Sequence, residues 1–357
     1  MSRPLTENGP ALHVRLSMPS GNSLCRACKD RFLPVSEDSV AQFFFLVVSS
    51  AQSMKYKRLV PLFALVIFST AAYLLYRALS AYEPAKILEA ILAIPLARLA
   101  LGALFVAGSY VSLTLFDMLA IRYIGAKLSY PRIALASFTA LSIGHTLGLA
   151  AASSGAIRYR FYFRWDIGAG DIARIILFCA MTTTLGLNTL MGLALVLQAN
   201  VAAKLLGFSQ PGAIALGAAC LALNVLYVAL AAVLRRPLAI KRWEIPIPPV
   251  KLAIAQISIG TINFCFVAAA LYELLPAAAG VGYFAVATVY VIANAASIVS
   301  HVPGGLGVLE AVVIHVLPDV SMIGALVVFR FIYFLLPFII GVALFAACEL
   351  RQRSRQS

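Results

Sequence analysis

The sequence predicts an all-α polytopic membrane protein: six full spans plus two broken helical hairpins that dip into the bilayer from opposite sides. Composition is the first reason. Of 357 residues, 62% are hydrophobic and 12% charged, with a mean hydropathy of +0.94, whereas a soluble domain carries about twice that charged fraction. The second is length: the apolar residues gather into runs of about 20, enough to cross a bilayer at 1.5 Å per residue. The third is that two further apolar runs are interrupted by glycine or proline. The net charge of +14 fits the Lys and Arg that accumulate in cytoplasmic loops. No aromatic–basic module interrupts the apolar runs, so nucleic acid is not an expected partner.

Residues 1–53 are rich in Pro, Ser, Arg and Asp, and their one apolar run, Phe43 to Val48, is too short to span. They are expected to be a disordered tail or an upstream extension of the reading frame. Met54-Lys-Tyr-Lys-Arg58 has the look of a natural start, its cations holding that end in the cytoplasm. A membrane domain over 54–350 and a basic cytoplasmic tail over 351–357 follow. The full spans are Val60 to Leu79, Leu99 to Ile121, Ile172 to Leu197, Ile214 to Leu234, Leu252 to Leu275 and Met322 to Cys348. Ile87 to Leu96, amphipathic and interrupted by Pro95, reads as a helix along the surface.

The broken runs are Ile133 to Ile157, containing Ser142-Ile-Gly-His-Thr-Leu-Gly148, and Val281 to Leu317, containing Val302-Pro-Gly-Gly-Leu-Gly307. Cationic loops around Arg58, Arg122 to Arg132, Arg158 to Arg174, Arg235 to Lys251 and Arg351 to Arg355 share one side only if neither broken run crosses fully. The first then dips in from the cytoplasm and the second from the opposite face. Non-helical backbone at membrane depth must line protein or a wet cavity. Broken segments in matching positions of two halves point to a transporter's binding site and to an inverted repeat. Two ordinary helices with glycines for close packing is the rival reading.

Arg330, ten residues into its span, needs a partner, because a lone cation at that depth costs about 3 kcal/mol or more. Glu310, just after the glycine turn, is the obvious one. Asp117, His145 and His301 are further candidates for the same cavity, with Gly304, Gly305 and Gly307 forming the turn that lines it. Packing alone also accounts for an internal Arg–Glu pair. Asn188, Asn224, Asn263 and Asn294, one per helix, read as interhelical hydrogen bonds. In Gly155-Ala-Ile-Arg-Tyr-Arg-Phe-Tyr-Phe-Arg164, arginines alternate with aromatics. Guanidinium forks match phosphate oxygens and aromatic rings sit at headgroup level, so Arg158 and Arg160 suit an anionic phospholipid, or an ordinary positive-inside loop. No metal-ligand spacing, nucleophile motif or Walker motif is present. The lone Cys25–Cys28 pair is too little for a zinc or redox site, and no cofactor is expected.

Five stretches together resemble the membrane region of the lysylphosphatidylglycerol synthetase/flippase family, the multiple peptide resistance factors. They are Ser109 to Gly125, Pro131 to Phe138, Ser154 to Tyr162, Val302 to Glu310 and Arg330 to Pro337, and the likeness runs from about the first span to the end. It implies a bacterial inner-membrane protein with both termini cytoplasmic that moves anionic or aminoacylated phosphatidylglycerol between leaflets. It also implies a stand-alone form lacking the cytosolic transferase, and so not an enzyme. Where the family's first break carries paired asparagines, this chain has Gly144-His-Thr146. Partners implied are a phospholipid, the membrane, a separate lipid synthase and a second copy of the chain. The rivals are a membrane enzyme acting on a lipid-linked substrate, with Glu310 or His301 as acid or base, and a non-catalytic partner of a lipid-modifying enzyme.

Overall fold

The computed structural model describes residues 84–147, 150–234, 238–240, 243–245, 247–276, 281–300, 307–316 and 321–356, all within one compact unit, Arg58–Ser357. The tail over 1–53, the expected first span Val60 to Leu79, and His301, Gly304 and Gly305 lie outside the described residues. What is described is helical apart from one short antiparallel hairpin, β1 (Leu238–Ile240) and β2 (Trp243–Ile245). Five helices among the described residues are long and apolar enough to cross a membrane. The protein is an all-α polytopic membrane protein.

The order begins with the short α1 (Pro84–Leu92), which leaves Leu88 and Leu92 exposed as an amphipathic surface helix does. Pro95, which has no amide hydrogen to contribute, then caps α2 (Leu96–Tyr123). A tight turn, with Gly125 at φ +73°, leads to α3 (Tyr130–Leu147) and α4 (Ala150–Phe163). α5 (Ala169–Leu197) and the short α6 (Ala199–Leu206) follow. α7 (Gln210–Val233) starts under the Ser209 side chain, which accepts the Gly212 amide. After the β-hairpin come α8 (Val250–Leu274), α9 (Tyr283–Ser300) and α10 (Val308–Val316). The last span is composite: α11 (Ser321–Arg330), a π-turn over Phe331–Leu335, and α12 (Leu336–Gln356).

Helix directions follow from the contacts. α2 and α8 run antiparallel, with Ser109 bonded to Asn263 and Arg98 to Glu273. α5 and α8 run parallel through Gln256 on Thr182. α5 and α7 run antiparallel through Asn188 and Asn224. One end of the bundle therefore collects the C-terminus of α2, both free ends of the α3/α4 pair, the N-termini of α5 and α8, the β-hairpin and the C-terminus of α12. That is where Arg122, Lys127, Arg132, Arg160, Arg164, Arg174, Lys251 and Arg351 fall in the chain. The other end holds the Arg98–Glu273 pair.

Packing between spans relies on small residues and single polar bridges, as expected where lipid removes the hydrophobic drive between helices. A Cβ on Gly186 would stand 2.2 Å from the carbonyl carbon of Gly260, and one on Gly217 would stand 2.9 Å from the carbonyl oxygen of Gly192. Around these crossings Asn224 Nδ2 donates to Thr189 Oγ1 at 2.6 Å, and Tyr227 Oη donates to Gln256 Oε1 at 2.6 Å. Three of the four asparagines bridge helices as expected. Asn294 instead donates to Tyr290 Oη on its own helix.

Gly186→Ala should therefore push α5 from α8 and cost about 1–3 kcal/mol, read as a lower thermal midpoint in detergent. Gly170→Ala, at a position with open space, should leave that midpoint unchanged or slightly raised.

Candidate functional site

Two ion pairs inside the bundle take up four of the candidate residues, Asp117, Arg158, Glu310 and Arg330. The first holds α4 to α2. Asp117, fully buried, accepts Arg158 Nε at 2.8 Å and Nη2 at 2.7 Å, Tyr162 Oη at 2.8 Å and Ser137 Oγ at 2.6 Å. Local spacing sets this up: Arg158 and Tyr162 are one turn apart on the same face of α4, and Ser137 stands on α3 opposite. Four donors satisfy the carboxylate, and Arg158 is 2% exposed. The pair fulfils the requirement that buried charges be matched and hydrogen-bonded. Asp117 and Arg158 are thus committed to each other in this conformation, and Asp117, expected beside Glu310 and Arg330, belongs to a separate pair.

The second pair is Glu310 with Arg330. Arg330 donates Nε to Oε1 at 2.8 Å and Nη2 to Oε2 at 3.1 Å, the two-pronged geometry that suits a guanidinium. Glu310 also accepts the Gly307 amide at 2.9 Å, so the carboxylate at the third position of α10 caps its own helix start, as in a capping box. Gly307 is in the left-handed region at φ +82°, which a side chain would strain. Glu310 keeps 22% of its side chain accessible against 9% for Arg330, so this pair is less sealed than the first.

Both pairs are placed by the ends of helical pairs. α3 and α4 pack against each other, as do α9 and α10. The C-terminal part of α3 and the start of α10 reach the last span within one turn of each other, at Tyr333 and Arg330. Arg330 ends the ten-residue α11, about 14 Å from its start, which is near half of a 30 Å hydrocarbon core. The π-turn follows at once, and π-turns within α-helices occur often at functional sites. His145, near the apex of α3, stacks on Tyr333 of that turn with ring centres 6.5 Å apart. Tyr110, midway along α2, donates its hydroxyl to the Tyr333 carbonyl at 3.0 Å. The Arg330 guanidinium lies 4.9 Å from the Phe334 ring centre, close enough for a cation–π contact.

Arg160 points elsewhere. With Arg164 it clasps Glu349 at the basic end of α12. Sequence reasoning did not single out Tyr162, Ser137, Tyr110, Tyr333 or Glu349. Only Glu349 had a readable signal, as the sole acid between Ser321 and the end of the chain. The described residues contain no group of three or more His, Cys, Asp or Glu that could hold a metal.

Arg158→Leu should strand the Asp117 carboxylate and cost about 3–5 kcal/mol, and Tyr162→Phe should cost about 1.5–3 kcal/mol by removing one donor to a charge. Thermal melts in detergent read both. If Arg158→Leu combined with Asp117→Leu is as damaging as Arg158→Leu alone, the stranded charge is not the cause.

No protein-family model matches the chain. An uncharacterised protein of the cyanobacterium Synechocystis, slr0712, is 32% identical over 252 residues, covering 70% of this chain and 78% of its own. The inner membrane protein YbhN of Escherichia coli is 29% identical over 247 residues, covering 68% and 77%. Identity spread over most of both chains, on a bundle of apolar spans, makes this a bacterial multi-pass membrane protein that belongs to the family of slr0712, with YbhN as a more distant relative.

Proposed function

We propose that the protein is a phospholipid translocase of the inner membrane, moving an anionic or aminoacylated phospholipid between leaflets without chemical change. The observation that carries this reading is the Glu310–Arg330 ion pair at the start of the π-turn, where α10 of one helix pair and α3 of the other both reach the last span. Each pair enters the lipid from its own side and turns back. The Glu310–Arg330 pair between them offers one charge of each sign at half depth, where a headgroup crossing the bilayer needs both. Arg330 receives the phosphate and Glu310 a cationic substituent, while the acyl chains stay in the surrounding lipid. Broken helices that meet near the bilayer midplane are the arrangement on which alternating access is built. Arg158 and Asp117 serve by holding the first pair to α2. Kinship with an inner membrane protein agrees with the location, and the concentration of cations supports a cytoplasmic basic end.

Liposomes containing the purified protein and a fluorescent phosphatidylglycerol test this directly. Leaflet exchange should exceed that of empty vesicles, and Arg330→Gln or Glu310→Gln should lower it at least about tenfold, about 1.4 kcal/mol in the barrier. Glu310→Gln with Arg330→Gln, which leaves no unpaired charge, should fold normally and remain inactive. Exchange indifferent to all three removes the proposal. A lipid species missing from a deletion strain would favour the enzyme reading, and co-purification of a lipid synthase the partner reading. With native cysteines replaced, a cysteine at Lys127 should react only from the cytoplasm and one at Phe208 only from the other side.

A further inference from the structure

The central pair leaves the clasp at the basic end unexplained. Arg160 and Arg164 stand one turn apart on α4 and converge on a single carboxylate. Arg160 donates Nε to Glu349 Oε1 at 2.7 Å and Nη2 to Oε2, and Arg164 donates Nη2 to Oε1 at 2.5 Å. Two guanidinium groups around one carboxylate leave a positive excess, and Arg160 Nη1 and Arg164 Nε and Nη1 are donors that Glu349 does not use. The Arg160 side chain is 53% exposed. Aromatic rings lie close to this basic end. The Arg132 guanidinium lies 5.9 Å from the Trp165 ring centre, Trp165 packs on Phe161, and Phe161 meets Phe345 edge-on. Arg351 is exposed two residues beyond Glu349, and Asp166 in the turn after α4 and Asp171 in the first turn of α5 are acids of the same end. Leu344 and Leu350 turn outward from α12 beside it.

We propose that this clasp is a docking site for the phosphodiester of an anionic phospholipid in the leaflet at the basic end, with Glu349 occupying it as an internal substitute when no lipid is bound. Carboxylate and phosphate offer guanidinium forks the same paired acceptors, so one replaces the other without rearranging the arginines. A half-exposed ion pair is weakly held, which lets a ligand of greater charge compete. Aromatic rings at headgroup level and an outward apolar helix face distinguish a lipid from a free anion, because they give the acyl chains and glycerol a surface to lie on. Docking needs no movement across the membrane, so the site goes beyond the translocase reading.

Native mass spectrometry of the delipidated full-length protein tests this, with dioleoyl phosphatidylglycerol or dioleoyl phosphatidylcholine added. The phosphatidylglycerol adduct should survive about tenfold better than the phosphatidylcholine adduct. Arg160→Gln with Arg164→Gln should bring the two to the same level, and Glu349→Gln should raise phosphatidylglycerol retention several-fold. If the double Gln variant folds poorly, Arg160→Lys with Arg164→Lys keeps the charge, loses the planar fork and should show the same direction of change. Inorganic phosphate, added in excess as a competitor, should displace the lipid only weakly. Unchanged retention in a folded double variant, or lower retention in Glu349→Gln, overturns the site. Displacement by phosphate as complete as that by excess phosphatidylglycerol overturns its assignment to lipid. Retention is read without any leaflet exchange, so failure here leaves the translocase proposal standing.

Discussion

The Asp117–Arg158 pair is the interaction on which the remaining architecture depends. A helix among membrane spans cannot hold its place by hydrophobic contrast, because the surrounding tails are as apolar as its own leucines. What fastens α4 is a charge that has nowhere else to go. Arg158 is sealed from solvent, so leaving Asp117 means either an unpaired cation in a medium of low dielectric constant or withdrawal of the whole helix toward water. Tyr162 and Ser137 complete the carboxylate's set of donors, so that α2, α3 and α4 behave as one block.

The rest of the bundle can be understood from that block. Because α3 is held against α2, its C-terminal part meets the last span, where His145 faces Tyr333. There the backbone is already irregular, and Tyr110 of α2 satisfies the Tyr333 carbonyl. The second helix pair is attached differently. Glu310 belongs at once to the start of α10, through the Gly307 amide, and to the last span, through Arg330. One carboxylate therefore ties the shape of the turn to the ion pair, and a ligand that drew Glu310 away would loosen both.

Much of this was legible in the residues themselves. Run length and charge bias located five of the spans, because a bilayer imposes a minimum length and a side for cations. The Glu310–Arg330 pair was readable because a cation ten residues into an apolar span must find an acid, and few acids are available. The Asp117–Arg158 pair was not, because Arg158 lies in a run of arginines and aromatics whose composition fits a surface loop equally well. Only the turn-by-turn placement of α4 shows that Arg158 faces inward while Arg160 faces out. The π-turn left no mark at all: Phe331-Ile-Tyr-Phe-Leu335 has the composition of any apolar helix, and the extra residue is a response to packing.

That extra residue has a geometric consequence for the two helix pairs. In an unbroken α-helix, positions 330 and 341 are about three full turns apart and look in nearly the same direction. The wide turn between them rotates the second part by roughly a quarter revolution relative to the first. Arg330 can thus address α10 while Gly341 presents its bare backbone to Ser142 of α3, where a Cβ would come within 2.0 Å of the hydroxyl. A single rod serves two partners on different sides, and its phase is set by one residue's worth of slack.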